Sequence, residues 1–149
     1  MTLGRICNRE TIIARRETSI AEAAQLMRTH HVGDIVVVEE KNGRSVPVGI
    51  LTDRDLVIEI LAKDVDPATV TAGDAMSDRL VTARETESLF EALQRMRAQG
   101  VRRMPVVDAE GGLVGIVAAD DFLDLLAEEM SELAHLVTRE QLREKTRRQ

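Results

Sequence analysis

Tryptophan and tyrosine are absent from this chain of 149 residues, phenylalanine occurs twice and cysteine once. Each shortage excludes something. A platform for single-stranded nucleic acid needs aromatic faces on which bases stack, and Phe90 and Phe122 are all there is. The lone Cys7 rules out an intrachain disulfide framework and fits a reducing compartment. No stretch approaches the ~20 apolar residues of a membrane span, and Met1 to Arg5 lead into no apolar signal region. A soluble, cytoplasmic protein with no membrane partner is expected. With 26 acidic against 20 basic residues, a net charge of -6 and a pI near 5.1, the chain lacks the basic footprint of a nucleic-acid binder. His30, His31 and His135 supply neither two histidines at i, i+4 nor a Cys/His cluster, so no metal site is expected. No activated Ser, Cys or Lys nucleophile stands out. The expectation is therefore a protein without catalytic residues, not an enzyme.

What is present is a repeat. Ser19-Ile20-Ala21-Glu22-Ala23-Ala24-Gln25-Leu26-Met27-Arg28 returns 69 residues later as Ser88-Leu89-Phe90-Glu91-Ala92-Leu93-Gln94-Arg95-Met96-Arg97. The same offset pairs Ile12 with Val81, and Val36-Val37-Val38 with Pro105-Val106-Val107. Gly49-Ile50-Leu51 returns as Gly115-Ile116-Val117 after 66 residues, so the first copy carries a short insertion in the intervening turn.

Each copy predicts the same elements. Ser19 with Glu22, and Ser88 with Glu91, are capping boxes that start a helix. Behind them Ile20, Ala23, Ala24 and Met27, and likewise Leu89, Ala92, Leu93 and Met96, form one apolar stripe. The helices end near His30-His31 and at Gly100. Strands at Ile35 to Val38 and Val48 to Leu51 flank Asn42-Gly43, and strands at Met104 to Val107 and Leu113 to Val117 flank Gly111-Gly112. A second helix comes after each hairpin, from about Asp53 to Ala62 and from near Asp120 onward. Met27, Met76, Met96, Met104 and Met130 read as core or interface filler. One unit is β-α-β-β-α, too small to stand alone, so two such units are expected to share a core in an α/β body of the α+β type with pseudo-twofold symmetry. The expected boundaries are residues 6–62 and 74–126 for the repeats, 63–73 for a linker around Asp66-Pro67, and 127–149 for a C-terminal helix and polar tail. The apolar Phe122, Leu125, Leu126, Met130, Leu133 and Leu136 in that helix suit packing on a second subunit or a partner.

The run Gly49-Ile50-Leu51-Thr52-Asp53-Arg54-Asp55 takes a strand directly into a helix, whose N-terminus attracts anions. Thr52 can donate to a phosphate oxygen, and the two oxygens of Asp55 suit the two hydroxyls of a ribose. The same pair could equally be an N-cap and an acidic third residue. Together with Gly100-Val101-Arg102-Arg103-Met104-Pro105-Val106-Val107-Asp108 and the repeat, this run closely resembles a tandem pair of cystathionine-β-synthase (CBS) domains, a Bateman module, from about Ile6 to Leu126. The resemblance implies a non-enzymatic regulatory module that binds an adenosine-containing ligand between its repeats. AMP, ADP or ATP stand ahead of NAD or S-adenosylmethionine, with no obligatory cofactor. It places phosphate and ribose at Thr52 and Asp55, with Arg54 beside them, and mixes in Thr82, Ala83, Arg102, Arg103, Met104 and Pro105 from the second repeat. Ala118 stands where the second copy would need a threonine, so the pocket at Asp121 is the weaker. Asp34, matched to Arg103, is expected near that second pocket, repelling phosphate. The resemblance also implies a flat homodimer and a regulated partner protein whose identity the residues do not disclose. The alternative is a constitutive homodimeric scaffold with vestigial pockets.

Overall fold

Asn42 and Gly43 both have positive φ, 52° and 75°, the combination a two-residue hairpin turn requires. Around them strands β2 (Asp34–Lys41) and β3 (Arg44–Thr52) pair antiparallel, with Ile35 opposite Leu51 and Lys41 opposite Arg44. Strand β1 (Ile13–Arg15) adds to β2 in parallel through helix α2 (Ile20–His30). In this computed structural model, which describes residues 1–77 and 79–148, the second copy repeats the plan. Strand β4 (Ala83–Arg84) pairs in parallel with β5 (Arg103–Val107), β6 (Leu113–Ala118) completes the sheet, and α5 (Leu89–Gln99) is the crossover helix. Two three-stranded sheets with helices result, the mixed architecture the repeat predicted.

Both capping boxes form. Glu22 N–H donates to Ser19 Oγ at 3.1 Å and Ser19 N–H to Glu22 Oε2 at 3.1 Å; Glu91 N–H donates to Ser88 Oγ at 3.3 Å and Ser88 N–H to Glu91 Oε2 at 2.8 Å. The helices end at His31 and Gly100, both left-handed. One stripe residue departs from expectation. Ala24 is exposed, and Leu26 packs against the core in its place. Strand β2 is buried on both faces: Ile35 and Val37 join the core of their repeat, while Val36 and Val38 on the opposite face are equally buried. That accounts for an unbroken apolar run where a half-exposed strand would alternate.

The repeats are held together by exchanged arms. Helix α1 (Leu3–Ile6) opens the first repeat but bonds to the second: Leu3 N–H donates to Glu87 O and Gly4 N–H to Glu85 O, both at 2.9 Å, and Asn8 and Ile116 exchange two backbone bonds at 2.9 Å. Helix α4 (Ala72–Ala75) does the converse. Ala72 N–H reaches Thr18 O at 2.7 Å, Gly73 N–H reaches Arg16 O at 3.0 Å and Ser77 N–H reaches Ile50 O at 3.2 Å. Thr71 to Gly73, inside the stretch read as linker, thus belong to an arm, and Ala72 is fully buried in the core of the first repeat. The second helix of the first repeat also differs from expectation. It runs as α3 (Asp53–Asp55) and then as a π-helical stretch, Leu56–Leu61, with Ala62 N–H bonded to Val57 O and Val65 N–H to Ile60 O. Residues Met1–Val117 form one compact unit and Ala118–Gln149 a second, which contains the helix α6 (Ala119–Arg147).

Close approach explains two of the glycines. A Cβ on Gly115 would lie 2.5 Å from Asn8 O and 2.9 Å from Cys7 Sγ; on Gly49 its nearest neighbour would be the Met76 thioether sulfur, at 2.4 Å, with the backbone Ser77 O less tightly met at 3.0 Å. A thioether can swing aside, whereas a paired backbone carbonyl cannot. Gly115→Ala is therefore expected to destabilise by roughly 1–3 kcal/mol, and by more than Gly49→Ala, as read from urea unfolding midpoints. Equal costs would show that the arm does not hold its place by backbone contact.

Candidate functional site

Strand β3 delivers Thr52 to the start of α3, and the three-residue spacing to Asp55 does the rest. Asp55 N–H donates to Thr52 Oγ1 at 3.2 Å, and Thr52 N–H donates to Asp55 Oδ2 at 2.9 Å. The cap reading of this pair is thus realised in full. It does not exhaust the pair, because the cap uses one oxygen of the carboxylate and leaves Oδ1 uncommitted among the described residues.

Thr52 and Asp55 line a cleft of about 230 Å³, and across it stand Arg79, Leu80 and Val81 from the approach to β4 and Val101, Arg102 and Arg103 from the approach to β5. Ile50 and Ser77 complete its wall. Four of the sequence-predicted residues are therefore brought together from both repeats: Thr52, Asp55, Arg102 and Arg103. The others lie elsewhere. Arg54 is exposed on α3, its N–H donating to Asp53 Oδ1 at 2.8 Å. Thr82 offers its carbonyl to Arg95 Nη1 at 2.9 Å. Ala83, Met104 and Pro105 are buried strand residues. Asp121 belongs to the second unit, where its Oδ2 accepts the Ala118 N–H at 2.8 Å, a cap lacking the reciprocal hydroxyl. Arg79 was missed, although its counterpart 69 residues earlier is Glu10 and that contrast could have flagged it.

A second cleft, of about 450 Å³, shares Asp55 and Ser77 with the first and is lined further by Glu59, Ile60, Val65, Val70 and Asp74. The first cleft is small beside the ~300–1,000 Å³ of small-molecule pockets, whereas the second lies within that range. Their electrostatics differ. Three guanidinium groups border one, and three carboxylates, those of Asp55, Glu59 and Asp74, border the other.

Asp34 pairs with an arginine of the first cleft: its Oδ2 lies 2.9 Å from Arg103 Nε. The reason is symmetry. Asp34 and Arg103 occupy matched positions of the two repeats, and matched residues can meet only near the pseudo-twofold axis. The pair is about as exposed as a surface ion pair, with Arg103 at 41% and Asp34 at 22%, and such pairs are weak. Chemically, the cleft offers guanidinium donors for an anion, a hydroxyl and carboxylate for a vicinal diol, and aliphatic walls for an apolar ring. Among the described residues no group of three His, Cys, Asp or Glu side chains could hold a metal ion, and no helix is long and apolar enough to cross a membrane.

A family model described as CBS domain matches residues 3–62 and 72–128. An uncharacterized protein of Methanopyrus kandleri is 37% identical over 125 residues, 84% of this chain, which spans only 62% of that protein's length. Hypoxic response protein 1 of Mycobacterium tuberculosis is 39% identical over 118 residues, 79% of either chain. Among solved structures, Hypoxic Response Protein I with two coordinated zinc ions superposes at TM-score 0.71 and 34% identity, covering 83% of this chain and 98% of that one. A CBS domain pair in complex with 5′-methylthioadenosine and S-adenosyl-L-methionine gives 0.74 at 27%, covering 87% and 98%. The cytosolic domain of the Mg²⁺ channel MgtE in complex with ATP gives 0.69 at 29%, covering 83% and 48%.

Thr52→Ala removes the acceptor of the Asp55 N–H and is expected to cost about 0.5–2 kcal/mol. Thr52→Ser keeps it and should cost less. Chemical denaturation of both variants decides the matter, and equal stability of the alanine variant and the parent would mean that the cap contributes nothing.

Proposed function

This chain belongs to the CBS domain family, and on that premise we propose that it is a non-enzymatic regulatory module whose ligand is an adenine nucleotide, AMP, ADP or ATP, bound in the Thr52–Asp55 cleft. One observation carries the reading: residues from both repeats converge there, with Thr52 and Asp55 on one side and Arg79, Arg102 and Arg103 on the other. The ribose hydroxyls would bond the free oxygen of Asp55, the phosphates would face the arginines, and the base would lie among Ile50, Leu80, Val81 and Val101, since neither phenylalanine lines the cleft. The neighbours solved with 5′-methylthioadenosine, S-adenosylmethionine and ATP support an adenosine ligand, and the arginines favour a phosphorylated one over S-adenosylmethionine or NAD. The protein acts in the cytoplasm as a homodimer, and a regulated partner reads its state. The Asp121 pocket is the weaker second site.

A regulatory ligand must bind two states with different affinity. The Asp34–Arg103 pair supplies the difference: a phosphate that engages Arg103 competes with Asp34, so occupancy loosens an ion pair between the repeats.

Calorimetry tests this in three parts. The full chain should bind one adenine nucleotide tightly per chain, and two equivalent sites would refute the asymmetry. Arg103→Ala, which leaves the Thr52–Asp55 cap intact, should lose most of the affinity for AMP, as should Asp55→Ala. Asp34→Asn should bind AMP several-fold more tightly and 5′-methylthioadenosine, which has no phosphate, unchanged. A ligand at 100 times its dissociation constant stabilises by about 2.7 kcal/mol, so a thermal-shift panel without response to any adenosine compound would favour a constitutive scaffold with empty pockets instead.

A further inference from the structure

Helix α6 is about 44 Å long at 1.5 Å per residue. Leu126, Met130, Leu133 and Val137 recur at spacings of four, three and four, one seam of a heptad pattern. Each of them is between 39% and 71% exposed. The charges are divided along the same helix. From Ala119 to Glu132 every charged residue is acidic; from Leu133 to Arg148 the basic Arg139, Arg143, Lys145, Arg147 and Arg148 outnumber Glu140 and Glu144. Compensation of the helix dipole does not explain this division, because that effect fades within the terminal turns and Glu128, Glu129, Glu132 and Arg139 lie well inside.

We infer that α6 pairs antiparallel with α6 of a second copy of this chain. In the register that matches apolar to apolar, Leu126 faces Val137 of the second copy and Met130 faces its Leu133, so four layers are closed by one twofold axis. The same register sets the acidic half of each helix level with the basic half of the other, Asp124 with Arg139 and Asp120 with Arg143. A parallel pair would set acid against acid and base against base. Beyond Val137 the seam positions are Glu140 and Glu144, which ends the apolar contact and fixes its length. The surface gives the homodimer of the proposed function its contact, and rests on that part of the reading alone; nucleotide binding is a separate measurement on the other unit.

The test uses the full chain at several concentrations in an analytical ultracentrifuge. A dimer is expected, weakened about tenfold or more by Leu133→Asp and retained by Leu133→Met, with AMP affinity unchanged in both. Because Leu133 is exposed, neither variant should unfold the protein, and circular dichroism verifies this. Orientation is read by double electron–electron resonance on spin-labelled Ser131→Cys and Thr146→Cys, each in a Cys7→Ser background. Antiparallel pairing places the labels at 131 within about 20 Å of each other and those at 146 about 40 Å apart. A monomer, a dimer indifferent to Leu133→Asp, or a short distance at 146 would each overturn the inference, and a loss of AMP binding with the dimer intact would count against the nucleotide reading only.

Discussion

The exchange of arms is the constraint on which the rest of this structure depends. Each three-stranded sheet with its crossover helix completes its core with a helix that the chain supplies from outside the repeat. Ala72, in the arm that opens the second copy, is buried among Ala14, Ile20, Ala23 and Leu51 of the first. Leu3, in the arm that opens the first, is fully buried and bonded to Glu87 of the second. Neither repeat can therefore loosen without loosening the other. The cleft inherits this property, because Ser77, which lines it, is the residue whose N–H ends the second arm on Ile50.

Symmetry then decides what the two ligand positions can be. Duplicated residues give identical pockets only while they remain identical, and on the axis they must face one another. A pair of arginines at positions 34 and 103 would repel; a pair of aspartates would repel likewise. Asp34 with Arg103 satisfies the axis at the expense of equivalence between the pockets. The contrast of Arg79 and Arg102 with Glu10 and Gly33 carries the bias further in the same direction.

Much of this was legible in the sequence because it was written twice. The capping boxes at Ser19 and Ser88, the buried runs at Ile35 and Met104 and the Asn42-Gly43 turn are local signals, and all formed. The arms were not legible, since helices of four residues show no periodicity; only Gly4 and Gly73 at matched positions hint at them, each packed against the matched residue Glu85 or Arg16. Of the site, Thr52, Asp55, Arg102 and Arg103 were found by motif. Arg79 lies in a stretch with no motif at all, and the partner of Asp34 is set by three-dimensional symmetry, which a linear alignment of the repeats does not express.

The two copies diverge most beyond the hairpin. After β3 the chain makes one α-helical turn and a π-helical stretch, then stops at Asp64, which is left-handed, with Pro67 close behind. After β6 the same starting point, an aspartate capping the first turn, opens into a helix of 29 residues with no glycine or proline to end it. The first copy had to turn back, because its continuation must supply the arm at Thr71 to Ser77. The corresponding continuation of the second copy makes no such turn and runs on as one helix. An apolar seam left uncovered along such a helix is an aggregation hazard. The division of its charges into an acidic and a basic half is what directs that cover toward another helix running the opposite way.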